Sequence, residues 1–193
     1  MNGRNLQTAR CEGFPPIAAP DARVLVLGSM PSLTSLAKQQ YYGHPRNAFW
    51  PIMGRLFGAG PELPYDARKR VLCRRGVAVW DVLKSCRRVG SLDTSIRTDS
   101  ELSNDFVAFF RERPRIGVVF FNGQKAETAF RRHVQAKLER IDRELHYVRL
   151  PSTSPAHAAR NFKEKLQAWR EVKRAVESSR AVERQWSGSG VVE

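Results

Sequence analysis

Three short apolar runs constrain this chain most. Arg23-Val24-Leu25-Val26-Leu27 ends at Gly28, Gly76-Val77-Ala78-Val79-Trp80-Asp81 follows a basic segment, and Ile116-Gly117-Val118-Val119-Phe120-Phe121 ends at Asn122-Gly123. Continuous apolar runs this short, bounded by turn residues, fit strands buried on both faces. His146-Tyr147-Val148-Arg149-Leu150 reads as a fourth strand, ending at Pro151-Ser152-Thr153-Ser154-Pro155. Helical spacing fills the intervals: Phe49 to Phe57, Ala67 to Arg75, Lys125 to about Leu138, and a last stripe of Phe162, Leu166, Trp169, Val172 and Val176. Asp99 or Ser100 is placed to cap a further helix carrying Leu102, Phe106, Phe109 and Phe110, stopped by Pro114. Strands alternating with helices predict an α/β fold: a three-layer αβα sandwich around a short, mainly parallel four-stranded sheet. The 193 residues suit one domain, expected over 23–178. Residues 1–22 read as an irregular, Pro-rich lead-in, 83–98 as irregular and basic, and 179–193 as a flexible tail.

Charge bounds the partner. Net charge is +14 with a pI near 10.5, in clusters such as Arg68-Lys69-Arg70, Arg74-Arg75, Arg87-Arg88 and Arg131-Arg132. An excess of this size attracts polyanions, and nucleic acid is the commonest. Arg-rich usage that merely keeps a protein soluble is the competing explanation, and charge does not separate DNA from RNA. No apolar run approaches a membrane span or a signal peptide. Cys11, Cys73 and Cys86 are far apart and form no CxxC. The expectation is a cytoplasmic protein with reduced cysteines and no membrane partner.

Ligands of open α/β sheets bind beyond the carboxyl ends of the strands. Three runs end in polar, non-helical segments there: Gly28-Ser29-Met30-Pro31-Ser32, Asn122-Gly123-Gln124 and Pro151-Ser152-Thr153-Ser154-Pro155. A fourth segment, Tyr41-Tyr42-Gly43-His44-Pro45-Arg46-Asn47-Ala48-Phe49-Trp50, lies downstream of the first in the same connection. It mixes aromatic, amide and cationic groups at turn spacing, unlike a core element. Its plainer reading is a turn with Asn47 as N-cap, followed by a helix burying Phe49, Ile52, Met53 and Leu56. The chain has no P-loop, no GxGxxG after a strand, no HExxH and no GxSxG elbow. Asp81 is the one acid at a strand end, and reads either as a general base or as a buried structural acid. Amides, hydroxyls and aromatic rings on one edge suit a planar heterocycle, which stacks while amides read its hydrogen-bonding edge.

Taken together, Gly28-Ser29-Met30-Pro31-Ser32, Tyr41 to Trp50, Asn122-Gly123 and Leu150 to Ala156 resemble the uracil-DNA glycosylase superfamily. The likeness runs from about Val24 to Trp169 and is closest to the hypoxanthine-DNA (deoxyinosine) glycosylase branch, with mismatch-specific uracil/thymine glycosylases as relatives. The resemblance implies the parallel four-stranded fold and hydrolysis of the N-glycosidic bond of deaminated bases (hypoxanthine, uracil or xanthine) in DNA. It implies base excision repair, a monomer, and no metal or organic cofactor. Asn47 matches the catalytic amide of that branch. Ser29, Met30, Tyr42 and Asn122 match base contacts, Tyr42 as the stacking platform and Asn122 as a reading amide or a turn residue. Arg46, Ser152, Thr153, Ser154 and His157 match DNA contacts, and Tyr41 is placed under the loop. The mismatch-specific relatives carry Asn in the first motif where this chain has Met30, and a wedging Leu where it has Ala156. Two classes therefore stand: a monofunctional glycosylase without a Schiff-base lysine, or a nucleic-acid-binding protein on the same fold that lacks the chemistry.

Overall fold

The computed structural model describes residues 9–88, 96–139 and 144–187. Its centre is a parallel sheet of four strands, β2 (Val24–Gly28), β3 (Val77–Asp81), β6 (Val118–Asn122) and β7 (His146–Leu150), in the order β3-β2-β6-β7. Each neighbouring pair is parallel, with Val24 opposite both Val77 and Val118, and Val118 opposite His146. The apolar runs of β2, inside the sheet, and β3, at its edge, are both enclosed. Val24, Leu25, Val26 and Leu27 are fully buried, and so are Val77, Ala78 and Val79. Covering both faces of such strands removes about 1.5–3 kcal/mol of exposed apolar surface per large side chain.

Helices flank the sheet: α1 (Leu33–Lys38), α2 (Phe49–Phe57) and α3 (Tyr65–Arg75) between β2 and β3, α4 (Phe106–Glu112) before β6, and α5 (Gln124–Phe130) after it. A π-turn at Arg131–Gln135 joins α5 to the short α6 (Ala136–Leu138), and α7 (Phe162–Ser187) closes the chain. α7 packs on α2, β2 and β7. Trp169, fully buried, meets Phe49 of α2 edge to face with centroids 5.8 Å apart. Trp169, Val172 and Val176 of the stripe read from the sequence form the seam between the last helix and the core, with Leu166 half-buried beside them, while Phe162 is exposed. No described helix is long and apolar enough to cross a membrane.

The structure departs from the sequence reading at several places. The lead-in contains β1 (Ala9–Glu12), which pairs with β4 (Leu83–Arg88) in an antiparallel sheet completed by β5 (Leu102–Ser103). Ile17 further exchanges two backbone hydrogen bonds with Val79, 2.9 and 2.8 Å, so the lead-in covers the outer edge of β3. Residues 83–88 are thus a strand, while 89–95 lie outside the described residues. The helix before β6 starts later than expected. Asp105 caps it through Ala108 N–H at 3.0 Å, and Leu102 sits 58% exposed on β5 rather than on the helix's apolar face. Helix α7 continues to Ser187. Arg23 Nη1 reaches Ser179 Oγ at 3.2 Å and Arg180 Nη2 reaches Arg74 O at 2.9 Å, which ties residues assigned to a tail into the domain. The Gly/Ser end beyond Ser187 lies outside the described residues.

Candidate active site

The polar segments converge as the topology requires. Beyond the carboxyl ends of β2, β3 and β6 lies a cavity of about 340 Å³, at the small end of ligand-sized pockets. Ser29, Met30, Tyr42, Asn47 and Asn122 all contribute to its wall, as do Ser152, Thr153, Ser154 and His157. Arg46 is exposed and stands outside the wall.

Room for the cavity floor is made at Gly28. A Cβ there would come within 2.2 Å of Asp81 Oδ1 and 3.1 Å of Tyr42 Oη. The strand can end there only without a side chain. Asp81, 3% exposed, belongs to the wall, and Asn104 Nδ2 holds its backbone carbonyl at 2.8 Å. Asp81 is thus a buried acid, as one of its two readings had it, and it borders the cavity. The chain beyond β3 runs alongside, with Val82 and Leu83 amides donating to the Gly28 and Ser29 carbonyls at 2.9 and 3.0 Å.

Tyr42 stacks on Phe49 with centroids 3.9 Å apart and rings 24° from parallel. Its φ of 54° is in the left-handed region, which a bulky residue occupies at a cost of about 1–3 kcal/mol. That backbone turn sends consecutive tyrosines different ways. Tyr41 is 2% exposed, donates to the Phe14 and Pro15 carbonyls at 3.1 and 3.2 Å, and accepts Trp50 Nε1 on its carbonyl at 2.8 Å. Burial, then the charge of Asp81, pushes its phenol far above the usual tyrosine range. Tyr41 packs under the loop, and both tyrosines border the cavity, Tyr42 with its ring stacked on Phe49.

Asn47 does two things. Its Oδ1 accepts Phe49 N–H at 3.0 Å in an Asx-turn. Ala48, one residue on, is the N-cap of α2 and makes no side-chain cap bond, so the expected Asn47 N-cap is not formed. Asn47 also lines the cavity, and among the described residues its Nδ2 makes no hydrogen bond. The Asx-turn fixes the carboxamide with its N–H₂ end spare.

The Pro151–His157 segment is held from beneath. Lys165 Nζ donates to the carbonyls of His157 at 2.8 Å and Ser154 at 3.4 Å, and Trp169 Nε1 donates to Pro151 O at 2.9 Å. Ser152 Oγ accepts Ser154 N–H and Ser154 Oγ accepts Ala156 N–H, so these hydroxyls shape the loop while keeping a proton to donate. Thr153 corrects the sequence reading. It is 1% exposed, its Oγ1 accepts Asn122 Nδ2 at 2.8 Å, and its N–H donates to Asn122 Oδ1 at 2.8 Å. A side chain so enclosed does not reach a DNA backbone. Each end of the Asn122 amide is likewise engaged, so Asn122 acts here as a clasp at the cavity wall. Gly123, with φ 92°, is needed beside it, because a Cβ would lie 2.8 Å from Ser152 Cβ.

Lys125 is a wall residue that the motifs did not reveal. Its Nζ lies 2.6 Å from Glu101 Oε1, and His133 Nε2 and Arg132 Nη1 lie 2.7 and 3.4 Å from Oε2. Burial pushes the Glu101 carboxyl up, but the bonds from Lys125 and His133 outweigh it and hold the group below its usual value. The pairing spans 24 residues and has no local signal. Lys165 did leave one: it falls within the apolar stripe of α7, where a lysine must find buried acceptors. Burial lowers its ammonium below the usual lysine range. Among the described residues, no group of three or more His, Cys, Asp or Glu side chains is placed to hold a metal ion.

Known proteins share this arrangement. The family model for the uracil DNA glycosylase superfamily matches residues 15–173. A hypoxanthine DNA glycosylase of Methanosarcina barkeri is 39% identical over 116 residues, covering 60% of this chain and 72% of that protein. A hypoxanthine DNA glycosylase of Methanosarcina acetivorans is 38% identical over 115 residues, 59% of this chain and 72% of its own length. A solution NMR structure from Methanosarcina acetivorans, described as a candidate uracil DNA glycosylase, superposes with a TM-score of 0.72 at 32% identity, over 88% of this chain and 99% of that one. The parallel four-stranded sheet, the cavity at its carboxyl edge and these likenesses agree: the chain belongs to the uracil DNA glycosylase superfamily and is an enzyme of the DNA glycosylase class.

Proposed function

We propose that this enzyme excises hypoxanthine, and with it uracil or xanthine, from DNA by hydrolysing the N-glycosidic bond, leaving an abasic site for base excision repair. The observation that carries this reading is Asn47: a carboxamide tethered through Oδ1, with a spare Nδ2, on the wall of a cavity that a stacked tyrosine also lines. Excision passes through a sugar with oxocarbenium character and a base departing as an anion. Such a reaction is accelerated by orientation and fixed dipoles rather than by a strong acid. Asn47 holds the attacking water or the sugar edge. Tyr42, rigid on Phe49, is the platform for the extruded base, and Ser29 with the Met30 backbone meets its polar edge. Ser152, Ser154 and His157 approach the DNA backbone from the braced loop, and Arg46 reaches a phosphate from the rim. The net charge of +14 supplies the general attraction to the duplex.

Base extrusion from a duplex costs a few kcal/mol, least where pairing is already weak. The protein acts as a monomer in this reading. Oligonucleotides carrying one hypoxanthine, uracil or xanthine, single-stranded and paired, test it. Alkali-labile abasic sites should appear at hypoxanthine with no strand cleavage before alkali. Intact DNA across the whole panel contradicts the reading.

A further inference from the structure

We propose that Thr153 is a positioning residue for Asn47, carrying the rigidity of the sheet to the catalytic loop. The inference rests on the role given to Asn47 above and goes beyond it. Asn122 ends β6 and is fixed there by its ladder with Leu150 of β7. Its amide grips Thr153 at two points, 2.8 Å each, on Oγ1 and on the backbone N–H. The Thr153 carbonyl then accepts Ala48 N–H at 3.0 Å. Ala48 follows Asn47 directly, and the Asn47 side chain bends back onto the next amide, Phe49 N–H, at 3.0 Å. Asn47 N–H is itself bound to His44 O at 2.9 Å. Three links thus run from the sheet to the carboxamide: Asn122 to Thr153, Thr153 to Ala48, and Ala48 to its neighbour.

Each link is buried or half-buried, and Thr153 at 1% exposure is the one that joins two loops. Its N–H, carbonyl and Oγ1 all take part in this joint, and at 1% exposure the side chain is closed to DNA. The same residue sits in the loop that Lys165 and Trp169 brace from α7. The loop that meets DNA and the loop that carries Asn47 therefore share one fixed point. A displacement of about 1 Å at a positioned group is enough to lower a rate severely.

Thr153→Val keeps the shape and loses the Oγ1 acceptor, and Thr153→Ser restores it. We expect Thr153→Val to lower the single-turnover rate on hypoxanthine duplex by about three- to tenfold, as for a lost buried hydrogen bond. Its Kd for the same DNA stays at the wild-type value, and Thr153→Ser recovers the rate. Asn122→Ala cuts the clasp from the sheet side and should slow the reaction at least as much, which covers the case that Thr153→Val does not fold. Amide hydrogen exchange at Ala48 provides a readout without catalysis: it speeds up in Thr153→Val and not in Thr153→Ser. A wild-type rate with unchanged Ala48 exchange overturns the proposal, and so does a loss confined to Kd. If the wild-type protein releases no base, the functional reading fails on its own, and exchange at Ala48 still decides the positioning.

Discussion

Glu101→Gln probes a buried carboxylate that binds a wall residue of the cavity. The Glu101 side chain is fully buried and receives Lys125 at 2.6 Å, His133 at 2.7 Å and Arg132 at 3.4 Å. Breaking a fully buried pair costs about 3–5 kcal/mol. The partners here are 26%, 21% and 45% exposed, so water screens part of the loss and the expected cost falls to about 1.5–2.5 kcal/mol. For a chain of this size that corresponds to roughly 3–10 °C in Tm. The pH dependence has a definite sign. Glu101 is held below the ordinary value of 4.5, so its contribution is present above that pH and is lost as pH falls through the lower folded-state pKa. Thermal melts of wild type and Glu101→Gln from pH 7 to pH 3 should show a gap at neutral pH that closes in acid. Equal melting at pH 7, or a gap that widens as pH falls, would refute the reasoning.

Gly28→Ala places a Cβ 2.2 Å from Asp81 Oδ1, so Asp81 must move; we expect a loss of about 1–3 kcal/mol in denaturant melts together with impaired excision. Lys165→Met removes the bonds to Ser154 O and His157 O while lifting the cost of a buried ammonium. Stability should change little, whereas affinity for duplex DNA drops by about tenfold and excision from single strands is kept, as fluorescence anisotropy and parallel rate assays on the two substrates would reveal. Lys125 borders the cavity, but its Nζ is engaged by Glu101, so borohydride should trap no protein–DNA adduct; an adduct that disappears in Lys125→Ala would make the enzyme a lyase.

β2, β3 and β6 were legible because they are buried on both faces, whereas β7 is largely exposed. Val24 to Leu27 and Val77 to Trp80 leave no polar position that another element could explain. Helix α2 was legible for the same reason: Phe49, Ile52, Met53 and Leu56 recur at helical spacing and are buried. The small antiparallel sheet was not, because Leu83 to Arg88 mixes basic and small residues with no strict period of two, and one of its partners, β1, lies more than seventy residues earlier. Within the site, motifs located the walls but not the wiring. Thr153 looks like any hydroxyl of a DNA-facing loop until Asn122 is placed 2.8 Å away, 31 residues earlier in the chain. Asn47 shows the reverse. The cap read from the sequence falls to Ala48 instead, and an Asx-turn to Phe49 N–H is what orients the amide at the cavity wall.

The central claim is that Asn47 performs chemistry rather than holding the fold or the DNA. Single-turnover excision by Asn47→Ala, measured beside the Kd for the same hypoxanthine duplex, tests it most directly. The account predicts a rate lower by about a hundredfold or more, as for loss of one transition-state hydrogen bond, with Kd within a few-fold of wild type. Excision at the wild-type rate, or a loss that appears only in Kd, would contradict it.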